Sequence, residues 1–253
     1  MARSFVEPEV KLSVLVLPVD YLFKVNHKRD TLTGYDNMSE AVMDSILMEE
    51  SDFLKYISDS VFLERYINSF IKRLEEFGVQ VYTEEFTDEF LFIQELAYTV
   101  NIAQLEIEEY YLEKEESQEI SGLVYYKTMY LDAVTINSWF EVTQMNPVRQ
   151  GREVLFASYE LSDYLDGYFS ENIFTGKVTY KYLLRELETE DIHEYAGHLG
   201  ALYADYTFDY ILNEYITDNY PPGKKRRFYM HYNPKSRSFE LDEPGFIILE
   251  AGD

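Results

Sequence analysis

Between residues 98 and 184 the chain alternates apolar and polar side chains in one stretch after another, interrupted only by short breaks. YTVNIAQLEIEEYYL (98–112), LVYYKTMYLDAVTINSWFEVTQM (123–145), EVLFASYELSD (153–163) and GKVTYKYLL (176–184) each read as strands, because a period of two sends alternate side chains to opposite faces of a pleated ribbon. The breaks are turn chemistry: Ser121-Gly122, Asn146-Pro147, Gly151, Gly167 and Gly176. Strands joined this tightly pair with reversed direction, so the middle of the chain is predicted to be an antiparallel meander. In the first strand the apolar parity changes between Ile102 and Leu105. One extra residue swaps the faces of a strand, so a β-bulge is predicted there.

Helical periodicity flanks this region. KLSVLVLP (11–18) is apolar on both faces and reads as an interior strand that Pro18 ends. Residues 19–40 are polar, with Thr33-Gly34 and Asp36-Asn37 as turn dipeptides, and read as a long loop. A shorter helix is expected over 41–57. From Ser60 to Phe77, Leu63, Ile67, Phe70, Ile71, Leu74 and Phe77 recur at three- and four-residue steps, with Ser58, Asp59 and Ser60 as N-cap oxygens and Gly78 as the stop. VQVY follows as a short strand, which completes a strand–helix–strand crossover. A second long helix is predicted over 190–219, capped by Thr189, with Ile192, Tyr195, Leu199, Leu202, Tyr203 and Tyr206 on one stripe. Gly197, Gly200, Ala201 and Ala204 form a small-residue ridge on it, suited to close approach against a sheet. Pro221-Pro222-Gly223 ends this helix. KKRRFYMHY and SFELD then read as a hairpin around Asn233-Pro234, and FIILEAGD as a last strand. The expectation is an α/β chain of α+β type. It has a flexible leader over 1–10 and one domain over 11–253, whose mixed, mostly antiparallel sheet is packed by two long helices in β-α-β-β-β-α order with a C-terminal hairpin.

Composition narrows the chemistry. With 47 acidic and 22 basic residues the net charge is -25, a field that repels phosphate backbones, so no nucleic-acid partner is expected. The absence of cysteine removes disulfides, thiolate metal sites and Cys nucleophiles. No run approaches the roughly 18 apolar residues of a membrane span. HEYAGH (193–198) comes nearest to a catalytic signature, the zinc-protease H-E-x-x-H. Its histidines are five residues apart, however, and diverge by about 140° around a regular helix instead of sharing a face. Glu194 and His198, four apart, are expected to pair on the polar face instead. No Gly-rich phosphate loop and no G-x-S-x-G elbow is present. No catalytic residue, metal ligand or cofactor is therefore assigned. Two patches remain as binding candidates: Tyr110 and Tyr111 within the acidic EIEEYYLEKEESQE (106–119), read as a strand end and hairpin tip, and the basic cluster Lys224, Lys225, Arg226 and Arg227.

The order of elements has a counterpart. KLSVLVLP leads to a helix ending in EEFGVQVY; NIAQLEIEEYYL, LDAVTINSWFEVTQM and REVLFASYELSD follow, and HLGALYADYTFDYILNEYI closes the set. This resembles bacterial outer-membrane lipoproteins of the curli-secretion and penicillin-binding-protein-activator kind, whose α/β domain runs β-α-β-β-β-α. In VLFASYELSD and FYMHY it is also similar to uncharacterised lipoproteins of Bacteroidetes-type bacteria. The resemblance implies a non-enzymatic binding or assembly protein in the periplasm, with a protein partner in an outer-membrane complex. Its membrane association would come only through a lipid anchor absent from this sequence, and it carries no catalytic residues across. The alternatives are a cytoplasmic location, an acidic decoy or immunity-type protein that blocks a basic partner, and a metal-dependent hydrolase using His193, Glu194 and His198.

Overall fold

The computed structural model of the chain describes residues 2–6, 11–28, 39–221 and 228–250. In order these form α1 (Ala2–Val6), β1 (Leu12–Leu17), β2 (Phe23–Asn26), α2 (Glu40–Glu50), α3 (Asp59–Glu76), β3 (Gln80–Tyr82) and α4 (Thr87–Phe90). Then come β4 (Leu96–Ile120), β5 (Leu123–Asn146), β6 (Glu153–Ser162), β7 (Tyr164–Glu171), β8 (Val178–Arg185), α5 (Thr189–Asp218), β9 (Tyr229–Asn233), β10 (Ser238–Asp242) and β11 (Ile247–Glu250). The main sheet has the order β11-β6-β5-β4-β1-β3, with β2 lying beside β4 as well. It is the mixed, mostly antiparallel sheet of the α/β class, parallel at β1, β2 and β3 and antiparallel elsewhere. The crossover is β1–α3–β3, with Ser13 opposite Gln80.

The bulge falls where the apolar parity changes. Ile102 faces Phe140 and Gln104 faces Trp139, which leaves Ala103 without a partner. Val100 and Ile102 before it and Leu105 and Ile107 after it therefore all reach the same buried core. α3 and α5 cover that face of the sheet, through Phe62, Tyr66, Phe70 and Leu74 of α3 and Leu199, Tyr203, Phe208 and Ile211 of α5. On the opposite face of β1, Leu15 packs with Phe90 and Ala97 in a small second cluster.

Local signals place the helix ends. Gly78 adopts φ +82, and the bonds Gly78 N–H to Glu75 O and Val79 N–H to Leu74 O close α3. α5 begins one residue earlier than expected: Thr189 is already helical and Glu188 holds the cap position. The Glu188 N–H donates to Asp191 Oδ2 at 3.1 Å.

Several expectations are corrected. β2 lies inside the segment read as loop; its Lys24 and Asn26 side chains turn inward to the carbonyls of Ile57 and Leu47, so polar inward positions hid the strand. Thr33-Gly34 and Asp36-Asn37 lie outside the described residues. Within the stretch read as a flexible leader, α1 is helical and Phe5 is buried against Phe208 and Tyr215, with ring centroids 5.6 and 5.0 Å away. Gly167 is no turn but the middle of β7, where a Cβ would lie 1.9 Å from the hydroxyl of Tyr180. The small-residue ridge of α5 meets α3 and not the sheet: a Cβ on Gly200 would lie 2.0 Å from the Tyr66 carbonyl oxygen, and one on Gly197 would lie 3.2 Å from Ser69 Oγ.

The C-terminal hairpin β9–β10 is clasped to α5. Asp209, buried on α5, accepts from the Tyr232 N–H at 3.0 Å and from His231 Nδ1 at 2.5 Å. One turn on, Asn213 accepts from the Met230 N–H and donates to the Met230 carbonyl, as a neighbouring strand would. Burial pushes the Asp209 carboxyl up to about 6, offset only in part by His231 and the Tyr232 N–H. Burial works to lower His231, but Asp209 outweighs it and holds the imidazolium above its ordinary range. Both groups thus bind protons more tightly folded than unfolded. Asp209's contribution is complete below its ordinary 3.8 and gone above about 6; His231's is complete below 6.5 and declines as pH rises through its raised value.

Two outcomes are expected. Gly200→Ala destabilises the fold by about 2–3 kcal/mol in urea unfolding, because backbone and not a side-chain tip blocks the new methyl. Gly197→Ala, which meets only the rotatable Ser69 hydroxyl, stays within about 1 kcal/mol of the parent. For the clasp, the gap in Tm between the parent and His231→Gln is widest near about pH 6 and narrows towards about pH 9.

Candidate functional site: a two-hairpin arm and its charged base

β4 and β5 are 25 and 24 residues long, and the sheet supports only part of them. The last pairing of β2 with β4 is Asn26 with Glu109, and the last pairing of β6 with β5 is Ser162 with Ala133. Beyond Tyr110 and Ala133, β4 and β5 pair only with each other among the described residues, out to Ile120 opposite Leu123. At about 3.3 Å per residue this gives an arm about 33 Å long. The acidic stretch read as a strand end and tip is therefore strand almost throughout, with the turn at Ser121-Gly122.

The separate hairpin β7–β8 lies against one face of the arm. Lys114 Nζ donates to the Leu165 carbonyl at 3.0 Å, the Phe169 N–H to Gln118 Oε1 at 3.1 Å, and Ser121 Oγ to Glu171 at 3.2 Å. Tyr125, Phe169 and Tyr180 pack in sequence between the two ribbons, the first pair tilted and the second edge to face. The faces turned away from this contact follow from alternation. On β4–β5 the outward positions are Glu113 opposite Tyr130, Glu115 opposite Thr128, Ser117 opposite Tyr126 and Glu119 opposite Val124. On β7–β8 they are Tyr164 opposite Arg185, Asp166 opposite Leu183 and Tyr168 opposite Lys181. All four of these tyrosines are exposed. At the far end Ile173 and Phe174 are 93% and 96% exposed.

The base of the arm is a buried charge cluster. Glu109, the last residue of β4 inside the sheet, has a fully buried carboxylate that accepts the N–H groups of Asp52, Phe53 and Leu54 at 2.8–3.1 Å. Lys28 Nζ lies 3.0 Å from Glu109, 2.6 Å from Asp52 and 2.5 Å from Asp132, with the Tyr111 ring centroid 4.3 Å away. Burial by itself would lower the ammonium pKa, but Asp132, Asp52 and Glu109 together outweigh it and hold the group charged, above its usual range. One cation thus ties β4, β5 and the loop ahead of α3 to the end of β2.

The residues singled out from sequence are dispersed. Tyr110 and Tyr111 point to opposite faces of β4, as neighbours on a strand must. The Tyr110 hydroxyl is engaged by Thr135 and Glu160 on the polar face, whereas Tyr111 lies over Lys28. Lys224, Lys225, Arg226 and Arg227 lie outside the described residues. The two histidines of HEYAGH separate as their spacing dictates. His193 was expected on the polar face but is buried, because its Nε2 accepts the Ser58 N–H at 3.1 Å and so serves the N-terminus of α3. His198 is exposed against the edge of Tyr195 and makes no pair with Glu194 among the described residues. Among the described residues no group of His, Cys, Asp or Glu side chains is gathered as metal ligands, and no helix is long and apolar enough to cross a membrane. What the sequence reading passed over is the set of outward tyrosines. Their signal was present in the four-residue spacing of Tyr126 and Tyr130 and of Tyr164 and Tyr168.

No protein-family model matches the chain, and no curated protein matches it. Its chemistry must be read from its own geometry.

Glu109→Ala strands three buried backbone N–H groups and takes one carboxylate from Lys28, which keeps Asp52 and Asp132, and costs about 3–5 kcal/mol in urea unfolding. Tyr111→Leu removes only the ring beneath the ammonium and costs about 1 kcal/mol. Hydrogen exchange of residues 51–57 and of the arm base rises in the first variant and stays near the parent level in the second.

Proposed function

We propose that this chain is a non-enzymatic binding or assembly protein of the bacterial envelope, working through protein–protein contacts made by the arm. The observation that carries the reading is a pair of layered ribbons that leave the sheet and hold Tyr126, Tyr130, Tyr164 and Tyr168 outward in water. Folding does not require these positions to be aromatic, since an exposed ring gains little from water. Tyrosines on a stiff backbone are good anchors for another protein, because the ring brings area with few torsions to freeze while the hydroxyl tolerates a wet rim. Ribbon edges that have no neighbouring strand among the described residues add open backbone groups that a partner can pair. The outer-membrane setting belongs to the same proposal and is supported by the likeness in element order to envelope lipoproteins.

The test is made in cells. A photo-crosslinking residue at Tyr126 or Tyr168 is expected to give discrete protein adducts, and the same residue at the exposed Glu64 of α3 to give none, with the adducts recovered in the outer-membrane fraction. Absence of adducts at both arm positions removes the reading. Adducts in a soluble cytosolic fraction remove its envelope half.

A further inference from the structure

The two outward faces of the arm differ in charge. The β4–β5 face carries Glu113, Glu115 and Glu119, with no Lys or Arg among the outward positions from Tyr111 to Glu119 and from Val124 to Asp132. These three carboxylates make no ion pair among the described residues. The β7–β8 face carries Lys181 and Arg185 against a single Asp166. Arg185 is mostly exposed, and among the described residues its one ion pair is a loose contact to Asp191 at 3.9 Å. In a chain of net charge -25, a cationic face on the same element as an acidic one is a specific arrangement.

The two faces also match in spacing. Tyr126 and Tyr130 on β5, and Tyr164 and Tyr168 on β7, are each four residues apart, about 13 Å along a strand. On β8, Lys181 and Arg185 repeat the same step opposite their tyrosines; on β4, Glu115 and Glu119 repeat it. At its base the cationic face opens into a groove of about 520 Å³ between β7–β8 and the start of α5, lined by Leu161, Tyr164, Leu183, Leu187, Tyr195 and Arg185. The groove is mainly apolar and carries Arg185 beside Glu186 and Asp191, so its walls suit a phenol ring while its rim is of mixed charge.

We infer that the occupant of each face is the other face of a second copy of this chain, so that arms stack head to tail. This rests on the reading of the arm as a protein-contact element and names its partner. The contact is heterologous, because an acidic face meets a cationic one; each added copy therefore presents a free face, and association continues into rings or filaments. A ribbon face about 33 Å long and about 10 Å across buries roughly 700 Å² in total at each junction, the size of a weak and reversible contact. Association is therefore expected in the micromolar range or weaker, and it declines as salt screens the charges.

Sedimentation velocity on the purified full chain tests this. At low salt and over a series reaching about 200 µM, the parent is expected to grow beyond the dimer, and to return to monomer at about 0.5 M salt. Glu113→Gln with Glu115→Gln removes charge from the acidic face alone; Lys181→Gln with Arg185→Gln removes it from the cationic face alone. Each pair is expected to weaken self-association by about tenfold or more without changing Tm. An equimolar mixture of the two variants retains one intact face of each kind and is expected to form a heterodimer that grows no further. A parent that stays monomeric throughout overturns the inference, as does association unaffected by both variants, or a dimer that the mixture fails to restore. If the parent is monomeric yet the arm still crosslinks to a different protein in cells, self-stacking is lost and the proposed function stands. If the arm crosslinks to nothing, both are lost.

Discussion

The fully buried carboxylate of Glu109 is the point from which the functional half of the molecule is organised. It sits where β4 gives up its last neighbour in the sheet and collects three backbone N–H groups from the loop ahead of α3 together with the Lys28 ammonium. A carboxylate at such a position is costly to desolvate, and surrounding donors offset that cost. Those donors are drawn from parts of the chain far from one another, and Lys28 passes the constraint on to Asp132 of β5. Both strands of the arm are therefore fixed in orientation where they leave the sheet. A two-stranded ribbon by itself is marginal in water. This anchoring, with the second hairpin layered on it, allows the arm to keep a defined face.

The arm's inner contact is more polar than the core of the main sheet. Lys114 and Gln118 reach backbone groups of β7, and the aromatic contribution comes from Tyr125, Phe169 and Tyr180. The ring of Tyr180 lies across the bare backbone of Gly167, an arrangement that a side chain at 167 would prevent. The main sheet is held by a different means. There, α3 and α5 approach until the Tyr66 carbonyl occupies the space that any Cβ on Gly200 would need. Body and arm thus use glycine for the same purpose on different partners: close approach of one backbone to a bulky neighbour.

Much of the body was legible in the sequence. The alternation of 98–163 identified the meander β4–β5–β6, the change of parity after Ile102 located the bulge, and the stripe from Leu63 to Phe77 with Gly78 behind it marked α3 and its end. That 176–184 would leave the sheet and pair with β7 was not read. The clasp and the base of the arm were not legible. His231 occupies an ordinary alternating position, and nothing near it announces that Asp209, one helix earlier, will be buried beneath it. Lys24 and Asn26 face inward because carbonyls of the α2–α3 region await them, and that inversion concealed β2. Of the candidate site, the tyrosine spacing was readable, but the outward direction of Tyr126 and Tyr168 depends on which face the second hairpin covers.

The division follows from the range of the forces involved. Periodicity, turn chemistry and helix stops are properties of neighbours within a few residues, so the sequence alone determined the long helices, the strands of the meander and where one of them shifts register. Whether a polar side chain is buried, which strands outrun their sheet, and which ribbon face remains in water depend on groups separated by tens of residues. Only the tertiary structure decided these, because desolvation and pairing at Lys28, Glu109 and Asp209 are settled jointly by several distant segments.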